Sequence, residues 1–137
     1  MEPSARSAFF FAAVVTTAAL LWLSVCTGAQ EPGFRNAPAS AAQMKNPYSD
    51  NSGAAAAGKK LFGQNCAQCH GKDLQGIGPA PRLINPATGK AKPGELFWFI
   101  TNGNLTKGMP SWSSLPKPQR WQIVTFLQSK FTFAEMK

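Results

Sequence analysis

Five consecutive residues, Cys66-Ala67-Gln68-Cys69-His70, carry two thiols and an imidazole at the spacing of a covalent haem attachment site, C-x-x-C-H. On a helical turn, residues three and four apart share a face, so Cys66, Cys69 and His70 stand on one side. The thiols would add to the two vinyl groups of a haem as thioethers while the imidazole reaches the iron. Attachment and axial ligation then come from one short stretch.

Plainer readings of the same residues fare worse. A thioredoxin-like redox pair needs a βαβ context, and no β-branched run precedes Cys66. A closed structural zinc site needs four ligands, whereas the chain has one His and three Cys, with Cys26 in an apolar leader. A lone histidine is ordinarily a satisfied core or surface group, but its position directly after the second cysteine argues for a ligand.

A sixth ligand is available in Gly108-Met109-Pro110-Ser111-Trp112. A thioether opposite histidine favours ferrous iron and raises the reduction potential. Met109 is the candidate, because Met1 is the initiator, Met44 lies in a lead-in and Met136 is next to the terminus. The competing role for Met109 is adaptable core filler. The Trp112 indole N–H would suit a haem propionate, since that donor needs a partner when buried. A ligating histidine gives its second N–H to a carbonyl or carboxylate. Pro79 and Pro81 both offer a backbone carbonyl for it, and the local pattern leaves the choice open.

These residues must be positioned by helices. Asn51 or Ser52 can cap a helix starting near Ala54 and running toward the cysteines, with Gly58, Leu61, Phe62 and Cys66 on one face. A glycine inside a helix costs about 1 kcal/mol relative to Ala. Gly58 therefore points to close approach of another helix, unless it is simply tolerated. Residues 71–89 read as loop, punctuated by Gly71, Gly76, Gly78, Pro79, Pro81 and Pro86. A short helix over 93–101, opened by Pro93 and stopped by Gly103, brings Leu96, Phe97, Phe99 and Ile100 to a pocket wall or core. A last helix over about 117–129 carries Trp121, Val124, Phe126 and Leu127, tolerates Pro118 in its first turn, and is expected to cross the first helix at Gly58.

Ahead of the helices, residues 1–29 read as an export signal: one basic side chain, an apolar stretch over 8–25, and small residues up to Ala29. An uncleaved membrane anchor is the main alternative. A lipid on Cys26 ranks third, because Val25 is a poor residue before an acylated cysteine. Residues 30–52, with Pro32, Pro38 and Pro47, read as a flexible lead-in; residues 53–131 as the folded domain; and 132–137 as a tail. The domain is thus expected outside the cytoplasm, either released or anchored and facing outward.

The chain has 137 residues, enough for one small domain, whose core a large apolar cofactor would help to fill. Folding and haem attachment are expected to be linked. A net charge of +8 and a pI near 9.8 suit steering toward redox partners with acidic docking surfaces, or merely a solvated basic surface. The lysines are scattered, and no nucleic-acid partner is expected.

With Gly58 and Phe62 ahead of Cys66-x-x-Cys69-His70, then Pro81-x-Leu83, Gly108-Met109-Pro110 and an aromatic C-terminal helix, the chain resembles a single-haem class I bacterial cytochrome c over roughly residues 52–129. The resemblance implies an all-α fold of three to five helices around one covalent haem c, iron held by His70 and Met109, and one-electron transfer. It also implies a proline carbonyl orienting the histidine, for which Pro81 is preferred because it begins the Pro-x-Leu pattern. A monomeric electron carrier is the leading expectation. The alternatives are a haem enzyme or ligand sensor with a displaceable sixth ligand, and a dedicated cytochrome subunit of a dehydrogenase. Asp50, Asp73, Glu95 and Glu135 show no paired arrangement for acid–base chemistry, which weighs against an enzyme.

Overall fold

The computed structural model describes residues 36–132. The leader, Cys26, the first residues of the lead-in and all of the tail after Thr132 lie outside the described residues. Within them there are six α-helices and no strand: α1 (Ala39–Ala42), α2 (Ser52–Asn65), α3 (Ala67–His70), α4 (Pro86–Lys90), α5 (Pro93–Asn102) and α6 (Lys117–Thr132). The all-α class is as expected. The helix count exceeds five because three of the helices are only four or five residues long.

The long helices begin and end where local chemistry dictates. Asn51 caps α2, its side-chain oxygen accepting from the Ala54 N–H at 2.8 Å. At α5, Pro93 takes a first-turn position where no N–H is needed, and Glu95 folds back to accept from the Lys92 N–H at 2.7 Å. Gly103, at φ 70°, ends that helix.

Helices α2 and α6 form the central pair. A Cβ on Gly58 would land on the carbonyl group of Gln122 and 2.9 Å from Cβ of Phe126, so the backbones touch where no side chain intervenes. Phe62 then meets Phe126 with ring centroids 5.4 Å apart. On the other flank of α6, Trp121 stacks on Phe97 of α5 at 4.1 Å. Val124 and Ile123 are completely enclosed, and Leu74, Leu96, Ile100 and Leu127 complete the core.

Two stretches differ from the sequence reading. The described part of the lead-in, residues 36–52, is packed onto the helices. Ala41 is 2% exposed, and a Cβ on Gly94 of α5 would strike its carbonyl oxygen. Asn46 is buried and donates to Thr125 Oγ1 at 2.9 Å, while its own side-chain oxygen accepts from the Tyr48 N–H at 3.0 Å. Ala41, the paired Asn46 and two isolated larger side chains, Met44 and Tyr48, make this contact, so no apolar periodicity announces it. The second difference is α4, inside the stretch read as loop. Asn85 caps it, accepting from the Thr88 N–H at 2.9 Å, and Pro86 occupies its first position.

Candidate haem-binding site

The cysteine–histidine motif is wound around one carbonyl. Helix α2 stops at Asn65; Cys66 then ends α2 and opens α3, and its carbonyl oxygen accepts from both the Cys69 N–H (3.1 Å) and the His70 N–H (2.9 Å). The next carbonyls are also engaged. Ala67 accepts from Gly71 at 3.0 Å, Cys69 from Ile77 at 2.8 Å and His70 from Gly76 at 2.9 Å. The turn is therefore pinned at its C-terminal side by the loop that follows, which Gly71, at φ 74°, allows to reverse direction.

The three side chains differ in environment. Cys69 is exposed, Cys66 half-buried and His70 buried. Burial pushes the Cys66 thiol up to about 11, with the neighbouring Cys69 adding to the shift. Both cysteines are free thiols, and no cluster of three metal-binding His, Cys, Asp or Glu side chains occurs among the described residues.

The His70 ring is oriented by the backbone. Its Nδ1 lies 3.1 Å from the carbonyl oxygen of Pro81. A carbonyl can only accept, so the contact selects a ring with its proton on Nδ1 and leaves Nε2 as the nitrogen outside this bond. Pro79 makes no such contact. The Pro81 carbonyl is itself held by a tight loop, since a Cβ on Gly76, at φ 82°, would crowd the Ala80 carbonyl and lie 2.9 Å from the Pro81 carbonyl carbon.

Met109 sits in a separate, closed hairpin. Its N–H and C=O pair with the C=O and N–H of Asn104 at 3.0 and 2.8 Å, around a 3₁₀ turn at Leu105–Lys107 and a left-handed Gly108. Met109 is half-buried and stands outside the buried core cluster. Trp112 is also half-buried but does pack against that cluster, and its backbone N–H donates to the Ile100 carbonyl at 3.1 Å. A cavity of about 400 Å³, lined in part by Met44, Tyr48, Lys117 and Trp121, shares no residue with the motif.

The sequence over residues 53–127, just over half of the chain, matches the family described as cytochrome c oxidase, cbb3-type, subunit III. The chain belongs to this family of cytochrome c domains. No curated protein and no solved structure matches it significantly. The six helices are those of an all-α cytochrome c fold, and the family is one of electron-transfer proteins with covalent haem c. Cys66 and Cys69 lie inside the matched cytochrome c domain, in the C-x-x-C-H motif that such attachment uses.

The residues fit that group. Two free thiols flank one turn, and beside them a buried imidazole has its second nitrogen already occupied. Sequence reasoning missed Gly76, which the path of the Pro81 carbonyl requires. It also missed the polar groups around Thr101, where Arg120 reaches the hydroxyl and Ser111 the carbonyl. The left-handed Gly76 had a readable signal in its residue type, whereas hydroxyl-to-carbonyl bonds between distant segments have none.

Proposed function

We propose that this chain is an exported one-electron carrier with a single haem c, joined through Cys66 and Cys69 and ligated by His70 and Met109. The observation that carries the reading is the Pro81 carbonyl at 3.1 Å from His70 Nδ1, which leaves Nε2 available on the residue directly after the second of two unpaired thiols. Once bound, the haem supplies a one-electron couple. The protein's part would be to keep His70 and Met109 in place in either oxidation state, so that little rearrangement opposes transfer. His70 is fixed through its ring and Met109 through its paired backbone. The Trp112 indole N–H is the donor assigned to a propionate.

The sequence has one histidine, and among the described residues the carboxylates Asp50, Asp73 and Glu95 are far apart in sequence, which favours a carrier over an enzyme. The basic surface favours redox partners of opposite charge. Export to the periplasm, free or tethered by the N-terminal segment, follows from the apolar leader and from where cytochrome c domains typically work. No described helix is long and apolar enough to cross a membrane.

The family description favours one further reading, a cytochrome subunit held permanently in a terminal oxidase rather than a free shuttle. Co-purification of tagged, detergent-extracted protein with a haem–copper oxidase distinguishes the two.

The test of the site is the optical spectrum of oxidised and reduced holoprotein beside Met109→Ala. The unmutated ferric protein should show an iron–sulfur charge-transfer band and its ferrous form should resist carbon monoxide. The variant should lose the band and bind the gas. Rapid carbon monoxide binding by the unmutated protein would overturn Met109 ligation in favour of a ligand-binding haem.

A further inference from the structure

The last carbonyls of a helix have no partner within it. At the end of α5 they are met from outside, by the segment that directly follows Met109-Pro110. The Ser111 hydroxyl donates to the Thr101 carbonyl at 2.6 Å, and the Trp112 N–H donates to the Ile100 carbonyl at 3.1 Å. Thr101 is braced in turn. Its hydroxyl donates to the Phe97 carbonyl at 2.7 Å and accepts from Arg120, whose guanidinium lies 4.9 Å over the Phe97 ring. Gly103 closes the other side, because a Cβ there would come within 2.5 Å of the Pro110 carbonyl carbon. The hairpin 104–109 is thus shut on itself by the Asn104–Met109 pair and fastened to α5 by the residues just beyond it.

We infer that Ser111 is a positioning residue for Met109: its hydroxyl on the Thr101 carbonyl fastens the methionine hairpin to α5 and sets how readily the thioether leaves the iron. The inference rests on the Met109 ligation proposed above. A hairpin that must swing away before an external ligand enters lowers that ligand's apparent affinity by the fraction of molecules that are open. Removing one fastening bond raises that fraction by about two- to tenfold, the worth of a single hydrogen bond. Ser111 makes two further bonds, with Ser113 Oγ at 3.1 Å and from the Ser113 N–H at 3.3 Å, that stay within the same loop and hold nothing to the helix.

The experiment is a titration of the ferric holoprotein with imidazole, followed by loss of the iron–sulfur charge-transfer band. Ser111→Ala should tighten apparent imidazole affinity about two- to tenfold, and Ser111→Thr, which keeps the hydroxyl, should restore it. Gly103→Ala should tighten it further, since the new Cβ pushes the Pro110 carbonyl off α5 at a φ of +70°. Asn46→Ala, which breaks the bonds to Thr125 and from the Tyr48 N–H and none to residues 101–112, should lower the melting temperature and leave imidazole affinity where it was.

Unchanged affinity in Ser111→Ala overturns the assignment, whatever Gly103→Ala does. Equal tightening by Asn46→Ala overturns it too, because general loosening would then explain the effect. A failure of the underlying ligation looks different: the unmutated protein itself lacks the band, and the inference falls with it.

Discussion

The carbonyl oxygen of Gln122 occupies the space in which a side chain on residue 58 would begin. Helices α2 and α6 meet at that point, and the attachment turn follows directly from α2. Gly58→Ala must therefore push the two backbones apart, an overpacking penalty of about 3 kcal/mol. For a domain of this size, that lowers the melting temperature of the holoprotein by about 15 °C. Gly63→Ala, with nothing within 4 Å of the new Cβ, should be neutral or slightly stabilising, and calorimetry of the pair checks the contrast.

The orientation of His70 depends on a carbonyl and not on a ring. Pro81→Ala keeps the acceptor and should leave the reduction potential close to its starting value. Gly76→Ala should move it, because the added Cβ displaces the Ala80–Pro81 backbone. A weaker Nδ1–H bond makes the imidazole a poorer donor and favours ferrous iron, so the potential should rise. A loss of about 1 kcal/mol in that bond corresponds to roughly 40 mV for one electron. Spectroelectrochemical titration of the two variants measures the difference.

The packed N-terminal stretch contributes stability through its contacts with α5 and α6. Asn46→Ala removes the bond to Thr125 and leaves the Tyr48 N–H without its acceptor. Two such bonds are worth about 2 kcal/mol, or about 10 °C in melting temperature. The visible spectrum should be unchanged.

Before haem is attached, the two thiols should be distinguishable. Cys69 is exposed, and burial raises the Cys66 thiol from 9.0 to about 11, so iodoacetamide at pH 8 should label Cys69 first. The sign is that of a raised pKa: folding favours the protonated thiol. Its contribution is complete below about pH 9 and is lost as pH climbs through about 11. Mass spectrometry of haem-free protein reads the order, and equal labelling would mean that the turn forms only with haem.

What could be read from sequence was the part written in residue types. The cysteine–histidine motif and the Pro93 and Gly103 bounds of α5 are local, as is an asparagine cap before an alanine run, and the helices begin and end there. The crossing at Gly58 was legible for the same reason, since a glycine inside a helix demands an explanation. The choice between Pro79 and Pro81 was not, because every residue has a carbonyl and only the path of the chain decides which one faces His70. The burial of Ala41 against Gly94 was hidden because close backbone contact between small residues leaves no hydrophobic stripe. Helix α4 was overlooked although Asn85-Pro86 is a cap followed by a first-turn proline; the surrounding breakers outweighed a helix of five residues.

The bond between Asn46 and Thr125 has a practical consequence for anyone excising this domain. Similarity to the family begins at residue 53, and a fragment started there would lack the asparagine that Thr125 meets and the alanine that covers Gly94. It would also lose Asn51, and with it the first hydrogen bond of the helix leading to the cysteines. A fragment that keeps these contacts begins well upstream of the recognisable homology, close to Pro38.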